Sequence, residues 1–469
     1  MGRATSADDA VRSRAVVVVV MAVAVAHASL GSGQCRDRTR RLTGGAGRAL
    51  TPFSVAPPAS RDPDTTMTDD HHGDTQEHST DDDRPDAEDD LVAAPPGDGV
   101  DRERLIREFG AEPLTDEQVR RLPDHPALRR RVFFAGRDLD RYLDAADRTQ
   151  SVVTGVGPSG PMHLGHVLPF YLARRLQRAT GAHVYVPVSD DEKYLAGKAT
   201  LEEIDAATRE NLRDVLAVGF DPERTHVVID TADADLVYPL AVRLAEGLTP
   251  ATVAATYGEP DNVGTAFYPA VQAAHLLLPQ LVEGAHPTLV PVAADQDPHV
   301  RVCRDLAAGE RLPVEKPAAL LGGHLPGLDG PGKMSSSDDA PTVRLDADPE
   351  TVERLVREHA HSGGRASVAE HRRLGGDPRV DVAFQCLRYF LEPEDDRLRR
   401  LAADYRAGDL LSGELKSMAA TRIGEFLAEH QRRRPAEAEL AAELDRYRLG
   451  DERRRRALDR AAVPNRSLA

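Results

Sequence analysis

The sequence predicts an α/β fold, a parallel sheet with helices on both faces, followed by an all-helical domain. Three observations carry that expectation. Strand-like and helix-like segments alternate between residues 151 and 348, the β signals fade from Pro349 onward, and 469 residues suffice for two or three domains.

The first hundred residues stand apart. Residues 1–66 contain no Lys or Glu, and Ala15 to Ala28 (AVVVVVMAVAVAHA) forms an apolar run behind Arg3, Arg12 and Arg14. That run resembles the core of a secretory signal but is shorter than the roughly 18 apolar residues that span a bilayer. At Met67 the composition flips to TDDHHGDTQEHSTDDDRPDAEDD. The flip is the mark of an over-extended start, with 1–66 a mis-assigned or disordered extension and 67–101 an acidic disordered tail too poor in large apolar groups to offset its ordering entropy.

Residues 102–150 read as a helical segment, short amphipathic helices around the apolar Val132-Phe133-Phe134. SVVTGV then begins the alternation as a strand, followed by a helix through HLGHVLPFYLARRLQRATG that ends at Gly181. HVYVPVS is a strand, LEEIDAATRENLRDVLAVG a helix stopped by Gly219, THVVID a strand, ADLVYPLAVRLAEGL a helix and TLVPVAA a strand. Such parallel sheets bind ligands at the carboxyl ends of their strands, so the chemistry is expected just after SVVTGV. From 349 to 469 helical segments dominate, and HQRRR and ERRRRALDR within them are either basic patches for nucleic acid or solvated helix faces.

The balance of 77 acidic against 60 basic residues, a net charge of −17, repels nucleic acid unless positive charge is gathered locally. Only Lys193, Lys198, Lys316, Lys333 and Lys416 are lysines; every other basic residue is Arg. That skew, with the acidic excess, suits a GC-rich genome and a salt-loving cytoplasm. Cys35, Cys303 and Cys386 are widely spaced, which indicates neither a disulfide framework nor a zinc knuckle.

Two segments carry chemistry. In TGVGPSGPMHLGH (Thr154 to His166), Gly155, Gly157 and Gly160 keep a strand-to-helix turn free of side chains, so backbone N–H groups can face an anion. His163 and His166 fall on one face of the opening turn, where both imidazoles can donate to a phosphate, and Gly165 admits a close ligand. In GPGKMSSSDDA (Gly330 to Ala340), the ammonium of Lys333 on a Gly-rich loop can follow the β- and γ-phosphates as they leave.

HLGH and KMSSS, in this order and flanking an α/β region, form the signature of class I aminoacyl-tRNA synthetases. From about Ser151 to Arg434 the sequence resembles the tryptophanyl-tRNA synthetases of archaeal and eukaryotic type. SDDEKYL (Ser189 to Leu195), FYPAVQAA (Phe267 to Ala274), AADQDPHVRVCRD (Ala293 to Asp305), HSGG (His361 to Gly364), GGDPRVDVAFQCLRYFLE (Gly375 to Glu392) and LLSGELK (Leu410 to Lys416) follow in family order. The resemblance implies a Rossmann-like catalytic domain over 151–348 and an anticodon-binding domain over 349–469. It implies catalysis by His163, His166 and Lys333. It further implies an ATP site from Gly157, Pro158, Ser159, His163, Gly165, His166, Lys333, Met334, Ser335, Ser336 and Ser337, with Gln272 and Gln296 close to both substrates and Mg2+ carried by ATP instead of a protein metal site. Glu192 and Gln296 would hold the tryptophan ammonium group, with Gln272 orienting the amino acid. Tryptophan and tRNA(Trp) as partners, a homodimer, a cytoplasmic location and no membrane association come with it.

An exposed acidic helix cap accounts for Asp190 and Asp191 as readily as a binding role does, and Asp295 and Asp297 are read as caps of the following helix. Two positions depart from the family. A tyrosine before the first TG and a glutamine before DDEK usually sit near the indole N–H; here they are Val153 and Pro187. The departures keep two other readings open, a tyrosyl-type synthetase and a synthetase-like paralogue with an altered substrate or an RNA-binding or regulatory role.

Overall fold

The computed structural model describes residues 100–463 apart from 310 and 336–339, so the readings placed on residues 1–66, on most of 67–101, and on Ser336 and Ser337 lie outside the described residues. The chain enters through helix α1 (Arg102–Arg107), strand β1 (Glu112–Pro113), α2 (Asp116–Arg121), α3 (Pro126–Arg129), β2 (Phe133–Arg137) and α4 (Leu139–Leu143). The segment expected to be helical therefore also supplies two strands. The apolar Phe133-Phe134 run pairs antiparallel to the sheet edge because its alternate side chains find cores on either face.

The central alternation follows as β3 (Ser151–Val153), α5 (Val167–Thr180), β4 (His183–Val188), α6 (Glu192–Leu195), α7 (Leu201–Ala217), β5 (Thr225–Ile229), α8 (Ala234–Ala245), α9 (Pro250–Tyr257), α10 (Val263–Glu283), β6 (Thr288–Ala293), α11 (Asp297–Ala308) and β7 (Ala318–Gly322). The seven strands lie in the order β1-β2-β7-β6-β3-β4-β5, with β7 through β5 parallel and β1 and β2 antiparallel at one edge. Along β4, Val184, Val186 and Val188 face one hydrophobic core while Tyr185 faces the other, the period-two pattern of a sheet covered on both sides. The chain leaves β3 in one direction to β4 and returns to its other side as β6, so the turn after β3 is the topological switch point.

A short hairpin of β8 (Pro326–Gly327) and β9 (Gly330–Lys333) leads to the helices α12 (Pro349–His359), α13 (Val368–Leu374), α14 (Val382–Cys386), α15 (Asp395–Ala407), α16 (Ser412–Arg433), α17 (Leu440–Asp445) and α18 (Asp451–Arg460). Helix α14 runs into a π-helical turn, Leu387–Leu391, whose carbonyl end is closed by buried Arg130. Its guanidinium donates to the carbonyls of Arg388 (3.0 Å) and Glu392 (2.6 Å), and Arg388 returns a bond to the Arg130 carbonyl at 2.9 Å. The end of the chain leaves the other helices. The Val227 N–H donates to the Tyr447 carbonyl at 2.8 Å, extending the sheet beside β5, and Leu449, Ala457 and Ala461 join the core over α10.

Both arginine-rich runs turn several of their arginines onto neighbouring elements. Arg433 donates to the Ala217 carbonyl (2.8 Å) and the Tyr171 hydroxyl (3.1 Å), and Arg434 pairs with Asp214 and Glu210 at 2.6 and 2.5 Å. In α18, Arg454 pairs with Asp233 and Asp235, Arg453 with Glu283, and Arg460 caps the carbonyl end of α10 through Leu281 and Val282. Those residues act as latches between elements, while Arg432 and Arg455 stay exposed.

Candidate functional site

The turn after β3 is built against the end of β4. Thr154 and Val156 donate to the carbonyls of Tyr185 and Pro187, and a Cβ on Gly155 would meet the Pro187 carbonyl oxygen at 2.4 Å. A Cβ on Gly157 would meet Glu192 Oε2 at 2.5 Å, so glycine there lets the carboxylate lie on the turn backbone. Pro158 is buried and Ser159 exposed at the outer bend.

His163 and His166 frame the 3-10 turn Leu164–His166 that opens α5. Their rings stack with centroids 3.7 Å apart. The Gly165 N–H donates to His163 Nδ1 at 3.1 Å, and the His163 N–H donates to His166 Nδ1 at 3.2 Å. Each ring therefore carries its hydrogen on Nε2 and presents a neutral donor. Burial, then the neighbouring His166, lowers His163 to about 3; burial, then Lys333 and Lys193, lowers His166 to about 4. Two uncharged N–H groups can thus face a phosphate without first losing protons.

The two motifs meet. Residues 343–345 pair with the first loop, Leu164 N–H to the Val343 carbonyl (2.9 Å) and Leu345 N–H to the Met162 carbonyl (3.0 Å). Met334 approaches within 3.3 Å of where a Cβ on Gly165 would stand, and the Ser335 carbonyl accepts from Thr342 at 2.6 Å. Lys333 rests its ammonium on Asp295 Oδ2 at 3.1 Å, with its side chain 61% exposed. The pairing is exposed enough that an arriving triphosphate can displace it. Gly165, Leu168, Val292, His324, Tyr389 and Phe390 line a small cleft beside this junction.

Glu192 lies on the other side of the turn. Its Oε1 pairs with Lys193 Nζ at 2.9 Å, and its charge acts on Tyr268 in α10 and His299 in α11. Gln272 follows Tyr268 by one helical turn, on the same face. Gln296 sits in the 3-10 turn that joins β6 to α11, beside Asp295. The arrangement brings a carboxylate at Glu192 and two neutral N–H donors at the paired imidazoles to either side of the glycine turn.

The aspartates differ from their expected roles. Asp190 and Asp191 are buried and make no cap: Asp190 accepts from Thr231, and Asp191 from the Tyr238 hydroxyl at 2.6 Å. Asp297, fully buried, accepts a two-pronged contact from Arg137 at 2.7 and 2.8 Å that locks α11 to β2. Asp295 is the holder of Lys333. Sequence reasoning passed over Asp295, Lys193 and His324; the retention of lysine at 193 in so arginine-rich a chain was the one available signal.

Comparison with known proteins completes the description. Residues 145–428 match the family model of class I tRNA synthetases (W and Y). A protein of Halobacterium salinarum named tryptophan–tRNA ligase 2 is 60% identical over 362 residues, covering 77% of this chain and 94% of its own. The tryptophan–tRNA ligase of Saccharolobus solfataricus is 40% identical, covering 73% of this chain and 91% of its own. Among solved structures, the tryptophanyl-tRNA synthetase of Aeropyrum pernix superposes with a TM-score of 0.67 at 34% identity, covering 73% of this chain and 96% of that one.

Proposed function

The chain belongs to the class I tRNA synthetases of the tryptophan and tyrosine group, and from that premise we propose that it activates tryptophan with ATP and transfers it to the 3′ end of tRNA(Trp). The tryptophan carboxylate oxygen attacks the α-phosphorus of ATP, the bond to the bridging oxygen breaks, and pyrophosphate leaves with its electron pair. The 3′-terminal adenosine hydroxyl of the tRNA then attacks the adenylate carbonyl, and AMP leaves. No protein nucleophile is needed; positioning and charge do the work.

Glu192, with Gln296, takes the ammonium group of the amino acid, and Gln272 orients it. The turn from Gly157 through Ser159, with Gly165, seats the nucleotide. His163 and His166 donate from Nε2 to the reacting phosphate, and Lys333 leaves Asp295 for the departing pyrophosphate while Met334 to Ser337 close the loop. Lys193 is a second ammonium within reach of the same phosphates, released when the substrate ammonium displaces it from Glu192. Magnesium arrives with the triphosphate as part of that substrate. Residues 349–469 supply the anticodon-reading region, and the working species is a cytoplasmic homodimer. No helix among the described residues is long and apolar enough to cross a membrane.

The observation that supports this reading most strongly is the junction of the two loops, with neutral stacked imidazoles on one and a displaceable ammonium on the other. Amino-acid-dependent ATP–pyrophosphate exchange, run with each of the twenty amino acids, tests it. Exchange with tryptophan alone is expected. Exchange with tyrosine alone would favour the tyrosyl-type reading, and exchange with none the regulatory paralogue that Val153 and Pro187, neither able to accept from the indole N–H through its side chain, keep open.

A further inference from the structure

A buried acidic cluster lies directly beneath Glu192. Asp191 accepts from the Tyr238 hydroxyl of α8 through Oδ2 at 2.6 Å. Asp230, one residue past β5 and fully buried, shares a 2.6 Å contact from Oδ1 to His275 Nε2 of α10. The remaining oxygens, Asp191 Oδ1 and Asp230 Oδ2, are buried and find no hydrogen-bond partner among the described residues. Each orphaned acceptor costs about 1–3 kcal/mol, more when charged, and two adjacent ionised carboxylates repel.

The Asp230 N–H donates to the Val188 carbonyl at 3.1 Å and the Thr231 N–H to Asp190 Oδ1 at 2.9 Å, which sets Asp230 beside the Asp190–Asp191 turn, and Asp230 acts on the Asp191 carboxyl. Placing one hydrogen between the orphaned oxygens satisfies both and removes one of the two charges. The other titratable groups around them fit that arrangement. Asp190 is held by Thr231, Glu192 faces the glycine turn and Lys193, and Tyr268 brings a buried hydroxyl from α10. Burial, then the Asp230 charge, pushes the Asp191 carboxyl up to about 6. Burial opposes protonation of His275, but Asp230 leaves it above its ordinary value.

We propose that Asp191 and Asp230 share one proton between their orphaned oxygens, so that Tyr238, Asp191, Asp230 and His275 form a single hydrogen-bonded chain that positions Glu192 against the helix carrying Gln272. Tyr238 donates to Asp191, Asp191 to Asp230, and His275 to Asp230, tying α6, β5, α8 and α10 together under the amino-acid pocket. Asp191 is a positioning residue that touches no substrate. The positioning half of the proposal rests on Glu192 as the ammonium holder; the shared proton does not.

Asp191→Asn supplies a hydrogen to Asp230 from its amide nitrogen while its carbonyl oxygen still accepts from Tyr238, so it preserves the chain without a titrating proton. In ATP–pyrophosphate exchange at pH 5.5, where the Asp191 carboxyl keeps its proton, its KM for tryptophan stays within about two-fold of wild type, whereas Asp191→Ala raises KM about ten-fold with little change in kcat. At pH 5 the infrared difference spectrum of wild type minus Asp191→Asn shows a carboxylic-acid C=O band above the shared background of partly protonated glutamates. Because the folded carboxyl is held above its unfolded value, its contribution to stability is complete below the ordinary carboxylate range and is lost as pH rises through about 6. The wild-type Tm therefore falls relative to that of Asp191→Asn between pH 5 and 7.5. An Asn variant as impaired as the Ala variant would mean that the Asp191 charge itself is required, and an Ala variant equal to wild type would remove the positioning role. A difference spectrum without that band would exclude the shared proton. Absent exchange by the wild type would sink the tryptophan reading instead, with the band and the Tm trend still deciding the proton.

Discussion

Cations behave in opposite ways at the mouth of the candidate site and in the arginine latches. At the mouth, Lys193 and Lys333 rest singly on carboxylates, and Lys333 is mostly exposed. In the latches, Arg130 and Arg137 are buried and hold two or more acceptors in fixed geometry, as Arg433 and Arg454 do nearer the surface. A guanidinium is a planar fork suited to fixed bidentate contacts, while an ammonium is a compact charge on a flexible stem. Arginine fixes several acceptors at once in the latches, whereas Lys193 and Lys333 each hold a single carboxylate, the form suited to a charge that the proposed reaction needs to move.

Substitutions can break that contrast. The largest expected effect is on Arg137. Its replacement by Ala leaves buried Asp297 with Arg301, at 3.1 Å, as its remaining guanidinium partner and its Oδ1 without the Arg137 donor, which costs about 3 kcal/mol, and chemical denaturation should show that loss. His166→Ala removes one neutral donor to the phosphate, so adenylate formation in rapid quench should slow by about 10²-fold or more while amino-acid affinity holds. Comparable losses in both would remove the imidazole from the transition state.

The histidine pair also sets a pH limit. Both are neutral in the folded state down to about 3–4, whereas an unfolded histidine takes its proton near pH 6.5. The stability they contribute is therefore present above about 6.5 and lost as pH falls towards 4. Tm measured on wild type and on His163→Gln should diverge in that acid window and converge above it. The smallest effect belongs to Arg433→Ala, which loses its exposed contact to Glu429 and its bonds to Ala217 and Tyr171. Stability should fall by about 0.5–1 kcal/mol with tRNA affinity unchanged; a large loss of tRNA binding would make the run a contact surface after all.

Much of this was legible in the sequence. Four of the five parallel strands showed because each carries a continuous or alternating apolar run, whereas β7 was not read from the sequence; the meeting of the two loops was implied by their motifs. Periodicity names which residues are buried but not their partners. Asp297 therefore looked like a helix cap until β2 brought Arg137 to it, and Asp191 looked exposed until α8 and α10 closed over it. The Val132-Phe133-Phe134 run, set among arginines, read as a helix patch although it pairs with β7. Nothing local in ERRRRALDR signals that its helix returns to α10, because its arginines meet acceptors distant in sequence.

The most direct measurement separates the two sides of the site in Lys333→Ala. The chain contains no tryptophan, so the emission of added tryptophan reports its binding without background, while a single-turnover assay reports adenylate formation. Adenylate formation should fall by about 10²–10³-fold with the tryptophan Kd unchanged. Equal losses in both, or none in either, would contradict an ammonium that moves from Asp295 to the departing pyrophosphate.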